Sequence, residues 1–266
     1  MNANDIAASL ARIRCFLLDM DGTIYLGDQI LDGTLAFLDA LKTTGREAVF
    51  LTNNSSKSGV TYLEKLQRMG IVEPFLNVVT SGQATARYAL HAFPGQRPYL
   101  LGNHVLRQEM ELMGVPVTDT NPDYVIIAFD TELDYDKLTR VCDHVRAGLP
   151  YIATHPDFNC PTETGFIPDI GATIAYIKAS TGREPDLIAG KPHATIVNAL
   201  LAQTGHNKEA LAMVGDRLYT DILTGINHGI TSILVMTGET TKEMLDASPI
   251  RPDIVVERLS SLIPYL

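Results

Sequence analysis

No apolar run in this chain of 266 residues approaches the ~18 residues that a membrane-spanning helix requires. Cysteine is scarce too. Cys15, Cys142 and Cys160 are too few and too scattered for a disulfide framework or a paired-cysteine zinc site, so they read as reduced thiols. No block of Lys or Arg stands out to offset a net charge of -10, which disfavours nucleic acid and anionic membrane as partners. The amino-terminal stretch carries Asp5, Arg12 and Arg14 before a very short apolar run, the wrong pattern for a secretory leader, and a cytoplasmic protein is expected. Internal repeats and low-complexity linkers are absent as well.

What the chain does have is an alternation of short apolar runs with segments of helical period, the rhythm of a parallel α/β sheet covered on both faces. Strands are predicted at 14–18, 48–51, 78–80, 99–101, 125–129, 151–154, 210–214 and 232–236. Helices are predicted at 34–42, through Leu35, Leu38 and Leu41 and stopping at Gly45, and at 61–69, through Tyr62, Leu63 and Leu66 and stopping at Gly70. A third is predicted at 193–203, led in by Pro192. The longest aperiodic stretch, 155–170, is rich in Pro, Thr, Asp and Gly, and loops of that length inside compact domains tend to be functional.

Four polar clusters fall at the ends of predicted strands or in loops. Asp19 and Asp21 follow the run Cys15 to Leu18, and persistence of strand geometry would aim both carboxylates at one spot. A plain Asp-Gly turn would look the same locally. A calcium loop would not, because it needs Gly where Ile24 stands and Glu where Ile30 stands. GDRLYTD, Gly215 to Asp221, repeats the pattern after Leu211 to Val214. Either of its acids alone reads as a helix cap, but two strands ending in acids, if adjacent, concentrate negative charge that a hard oxygen-seeking cation such as Mg²⁺ neutralises. LTNNSS puts Thr52, Asn53 and Asn54 at a third strand end, where side chains and backbone N–H groups can hold phosphate or simply form a turn. Lys191 lies in GKP. A nucleotide P-loop is excluded, since it needs Gly at Pro185 and Ser or Thr at Pro192.

In the order DMDGT, TNN, GKP and GDRLYTD, these clusters resemble the four motifs of the haloacid dehalogenase (HAD) superfamily of Mg²⁺-dependent phosphatases. The phrases LTNNSS, TSGQAT, GKPH and GDRLYTDI are similar to its NagD-like, p-nitrophenyl phosphatase-type branch. The resemblance implies a Rossmann-like parallel-sheet core, residues 1–80 and 184–266, with an inserted α/β cap of the C2 type at 81–183 that closes over the site. It implies Asp19 as nucleophile, Asp21 as general acid and base, and Mg²⁺ on the Asp19 carboxylate, the Asp21 carbonyl and Asp216, supported by Asp221. Thr52, Asn53, Asn54 and Lys191 would bind the phosphoryl group. The aperiodic stretch then becomes the specificity element, with His155, Asp157, Asn159 and Glu163 as candidate contacts.

The expected activity is hydrolysis of a small phosphorylated metabolite, of the nucleotide or sugar phosphate class, through an aspartyl-phosphate. A phosphotransferase or phosphomutase would share that intermediate. A haloacid dehalogenase proper has no need of the second Asp or of the metal-binding acids. A cysteine phosphatase is excluded, because six residues after the three cysteines come Asp21, Gly148 and Phe166, where its loop needs Arg. A non-catalytic phospho-acceptor module would be about half as long and order its motifs differently. A homodimer is compatible with all of this.

Overall fold

The computed structural model describes residues 3–162 and 165–266. Its strands in chain order are β1 (Cys15–Asp19), β2 (Tyr25–Leu26), β3 (Gln29–Ile30), β4 (Glu47–Thr52), β5 (Val78–Thr80), β6 (Pro98–Leu101), β7 (Tyr124–Ile127), β8 (Tyr151–Ala153), β9 (Asn159–Thr162), β10 (Gly165–Pro168), β11 (Leu187–Ile188), β12 (Leu211–Gly215), β13 (Thr231–Val235) and β14 (Ile254–Val256). The helices are α1 (Ala3–Leu10), α2 (Thr34–Thr43), α3 (Gly59–Arg68), α4 (Ser81–Ala92), α5 (His104–Leu112), α6 (Tyr135–Arg146), α7 (Ile170–Thr181), α8 (Ala194–Thr204), α9 (Leu223–His228) and α10 (Lys242–Ala247). The chain divides into two compact units. One comprises Met1–Thr52, Tyr62–Val79 and Leu200–Leu266, the other Asn53–Thr61 and Thr80–Ala199.

The first unit is built on a sheet in the order β14-β13-β12-β1-β4-β5. Its pairings β4-β1, β1-β12, β12-β13 and β13-β14 are all parallel. Every residue of β1, β12 and β13 is buried, which is why 15–18, 211–214 and 233–235 read as unbroken apolar runs rather than as alternation. β1 lies in the interior of the sheet, with Leu18 level with Val214 on one side and Asp19 level with Leu51 on the other. The crossover order thus brings the carboxyl ends of three strands together, the usual place for a ligand in an open α/β sheet. Phe16, Leu18, Phe37, Leu41, Phe50, Leu66 and Val214 share one core cluster. The Phe16 and Phe37 rings meet edge to face, 5.5 Å between centroids.

The second unit has its own parallel sheet, β11-β8-β7-β6. Apolar clusters form around Val125, Ile127, Val141 and Tyr151 and around Leu100, Leu106, Met110 and Ile126. The segment expected as the insertion, 81–183, lies wholly within this unit. Asn53–Thr61 joins it through hydrogen bonds: Asn103 Nδ2 donates to the Ser56 carbonyl (2.8 Å) and Phe129 N to Ser55 Oγ (2.9 Å). Ser81 Oγ donates to the Asn53 carbonyl.

The structure departs from several local expectations. The aperiodic stretch is not one loop, for β9 and β10 pair antiparallel there, Asn159 opposite Pro168 and Thr162 opposite Gly165. Neither strand has a buried face, so no alternation of apolar and polar residues was available to mark them. Leu35 is 45% exposed, and α2 faces the core with Phe37, Leu38 and Leu41. Pro192 precedes α8 by two residues instead of sitting in its first turn. Truncating Phe16 to Ala should cost about 3–5 kcal/mol, read as a lowered midpoint in urea denaturation; a loss below about 1 kcal/mol would contradict a packed sheet face at this point.

Candidate active site

Asp19 is the last residue of β1, and Asp216 follows the last residue of the neighbouring β12. Asp221 sits in a π-helical turn, Leu218–Ile222, that follows β12; such turns recur at functional sites. Carboxylate oxygens of Asp19, Asp216 and Asp221 lie within 4.8 Å of one another, and all three residues are buried. Burial first, and then the charges of Asp19 and Asp221, push the Asp216 carboxyl well above the usual carboxylate range. Buried carboxylates brought this close fit a hard dication bound by oxygen. Asp19 and Asp216, with further main-chain or side-chain oxygens, could hold it.

The chain clamps Asp216 on all sides. Glu239 N donates to its Oδ2 (2.6 Å), and Thr240 N and Oγ1 donate to its carbonyl. Two glycines close on the same carboxylate: a Cβ at Gly22 would come within 2.5 Å of Asp216 Oδ2, and one at Gly238 within 2.0 Å. Gly22 also has φ +87°, open to glycine and costly for other residues. Its turn is held by Gly22 N donating to the Tyr25 carbonyl (2.8 Å) and by Thr237 Oγ1 donating to the Gly22 carbonyl (2.6 Å). Asp221 Oδ2 accepts from Arg217 N (3.1 Å).

Asp21 lies beyond the end of β1, half-buried, and the buried Tyr25 hydroxyl donates to its Oδ2 at 3.4 Å. Burial, then the charges of Asp21, Tyr62 and Asp19, raise the Tyr25 pKa, so the phenol keeps its proton and stays a donor. Arg217 supplies opposing charge. Burial works against its guanidinium, but Asp19, Tyr219, Asp216 and Glu239 outweigh burial and its pKa is raised; Nε also pairs with Glu239 Oε2 at 2.9 Å.

Thr52 is buried at the end of β4 in the first unit. Asn53, Asn54 and Lys191 belong to the second. The Asn53 amide is clasped to the main chain of Lys191: Lys191 N donates to Oδ1 (2.8 Å), and Nδ2 donates to the Lys191 carbonyl (3.1 Å). Asn54 Oδ1 accepts from Ser56 N and Oγ, both at 2.8 Å. Lys191 is 2% exposed.

Of the four candidate specificity contacts, His155 and Asp157 are buried inside the second unit and Asn159 is exposed on β9. Glu163 lies outside the described residues. The sequence reading missed Thr237, Gly238, Glu239 and Thr240. Their signal was available: glycine and hydroxyl residues directly after the apolar run that became β13.

A haloacid dehalogenase-like hydrolase family model matches residues 16–116, and a second, HAD-hydrolase-like, matches 188–262. An acid sugar phosphatase of Staphylococcus epidermidis is 38% identical over 254 residues, 95% of this chain and 98% of the relative. Among solved structures, a 4-nitrophenylphosphatase from Thermotoga maritima superposes with TM-score 0.93 at 48% identity, covering 96% of this chain and 98% of that one. A putative nagD protein does so with TM-score 0.91 at 45% identity, covering 96% and 99%. With acids at neighbouring strand ends and this likeness along nearly the whole chain, the protein belongs to the haloacid dehalogenase-like hydrolases, as a NagD-like phosphatase acting on phosphomonoesters.

Proposed function

We propose that the chain hydrolyses small phosphomonoesters of the sugar phosphate or nucleotide class with Mg²⁺, through an aspartyl-phosphate on Asp19. The observation that carries this is the meeting of the Asp19, Asp216 and Asp221 carboxylates at neighbouring strand ends. The name of the Staphylococcus epidermidis relative, an acid sugar phosphatase, supports the sugar phosphate arm.

In this reading an Asp19 oxygen attacks phosphorus and the ester P–O bond breaks. Asp21, oriented by the Tyr25 hydroxyl, gives its proton to the leaving alkoxide. The resulting Asp21 carboxylate then takes a proton from water, whose oxygen attacks the aspartyl-phosphate, releasing phosphate and restoring Asp19. Asp19, Asp216 and the Asp21 carbonyl would hold Mg²⁺, with Asp221 in support. Bound there, the ion supplies charge neutralisation that lets a carboxylate approach a phosphate dianion.

Lys191 is assigned to the phosphoryl charge, and Thr52, Asn53 and Asn54 to its oxygens. Because the Asn53 and Asn54 amides are engaged within their own unit, the part of this group falls to the Thr52 hydroxyl and to the main chain of the turn. The α/β segment 81–183 is assigned the role of cap. Its exposed β9-β10 hairpin, with Asn159, is the proposed contact for the leaving group.

A phosphate-release screen over a broad panel of phosphomonoesters, with and without Mg²⁺, tests the reading; no turnover on any of them would end it. Asp21→Asn should lower kcat by about 10²- to 10⁴-fold, and Asp19→Asn should yield no trappable phosphoprotein, whereas near-normal turnover by the latter would remove Asp19 as nucleophile. Chelation with EDTA should abolish activity and Mg²⁺ restore it. Gly238→Ala, by pushing on Asp216, should raise the Mg²⁺ concentration for half-activity by about 10- to 100-fold; an unchanged Mg²⁺ requirement would separate Asp216 from the ion. Asn159→Ala should change the ratio of kcat/KM between sugar phosphates and nucleoside monophosphates, and an unaltered ratio counts against the hairpin.

A further inference from the structure

The ends of the β9-β10 hairpin carry two buried acids, Asp157 before it and Asp169 after it, 7% and 5% exposed. Between them lies His155, with no exposed surface. Its Nδ1 is 3.7 Å from Asp157 Oδ2 and its Nε2 3.5 Å from Asp169 Oδ1. The two ends are also tied by main chain, Asp169 N donating to the Phe158 carbonyl (2.9 Å) and Gly171 N to the Asp157 carbonyl (2.8 Å). Asp169 further caps α7 by accepting from Ile170 N.

Asp157 faces a third partner. Asn53 Nδ2 donates to its two oxygens at 3.1 and 3.3 Å, and the same nitrogen donates to the Lys191 carbonyl (3.1 Å). With Oδ1 accepting from Lys191 N, both ends of the Asn53 amide are committed. The orientation of that amide is therefore fixed by Asp157 on one side and by the Lys191 peptide on the other. Packing around this set is close. A Cβ on Gly190 would lie 2.6 Å from Asn53 Oδ1, 2.7 Å from the Thr154 carbonyl and 2.8 Å from His155 Cβ. A continuous buried chain thus runs from Asp169 through His155, Asp157 and Asn53 to the main chain of Lys191, all within one unit.

We propose that Asp157, backed by His155 and Asp169, is a positioning residue: it sets the Asn53 amide, which holds the Lys191 main chain and so aims the lysine at the transferring phosphoryl group. The proposal rests on the assignment of Lys191 made above. It gives His155 and Asp157 a different task from contact with the leaving group. Misplacement of a catalytic group by about 1 Å can cost on the order of 10²-fold in rate, and loss of a supporting hydrogen bond behind a functional group typically costs about 10- to 100-fold.

The test is steady-state hydrolysis of p-nitrophenyl phosphate with Mg²⁺ by the wild type, Lys191→Met, Asp157→Ala, Asp157→Asn and the Lys191→Met/Asp157→Ala double variant. Asp157→Ala should lower kcat by about 10- to 100-fold with KM changed less than about 3-fold. Asp157→Asn, which keeps an acceptor for Asn53 Nδ2, should recover most of that loss. The double variant should be no slower than Lys191→Met alone, because the effect of Asp157 passes through the lysine. Full additivity in the double variant, or normal kcat in Asp157→Ala, overturns the proposal while leaving Lys191 in its assigned role. Normal kcat in Lys191→Met overturns the assignment of the lysine and the proposal with it. Should Asp157→Ala fail to fold, Asp169→Asn paired with Lys191→Met decides the question in the same way: a loss that disappears without the lysine supports the relay, and an additive loss or none refutes it.

Discussion

Negative charge is crowded where the fold can least solvate it, and most of the first unit's architecture follows from tolerating that. Asp19, Asp216 and Asp221 share a space under 5 Å across, beneath the surface, where the charges of Asp19 and Asp221 oppose the ionisation of Asp216. Such a group persists only if its members are restrained by covalent scaffold and hydrogen bonds, and here both are present. Parallel strands fix the two main-chain attachment points, backbone donors from Arg217 and Glu239 meet carboxylate oxygens of Asp221 and Asp216, and Thr240 N meets the Asp216 carbonyl. Small residues at Gly22 and Gly238 let the surrounding chain approach to contact. A site made this way has little freedom to relax, which suits it to gripping a cation of fixed size.

Much of that arrangement was legible in the amino-acid order. The fully apolar strands β1 and β12 announced themselves as interior strands, and acids at their ends could be read as converging once their adjacency was granted. α2 and α3 were readable because helices on a sheet show one face to it. What escaped were features without a periodic signature. Thr237 and Thr240 act through hydroxyl and main-chain donors, Glu239 through its N–H and Gly238 through the absence of a side chain, and none of these depends on a periodic pattern. The β9-β10 hairpin buries no face, so its strands satisfy their backbones on each other and nothing in the residue types betrays them. His155 and Asp157 looked like accessible polar residues in a loop; only their pairing with Asp169 and Asn53 accounts for their burial, since charged groups are buried when partnered.

The Asn53 amide shows how a motif residue can serve a purpose its position does not suggest. A strand-end asparagine before a helix invites the reading of a phosphate ligand. Its side chain instead mimics a strand edge, exchanging two hydrogen bonds with the main-chain N–H and C=O of Lys191. Two of the four motifs are therefore not independent of each other, being joined by side chain and backbone.

The hairpin closed at its base by His155, Asp157 and Asp169 has an evolutionary implication. With both stems anchored by buried polar groups and main-chain bonds, the described residues of β9 and β10 bear almost no share of the core. Their length and composition can drift without unsettling the sheet beneath. Variation can accordingly accumulate on this exposed surface, while the fixed stem preserves the surroundings of Asn53 and the Lys191 main chain.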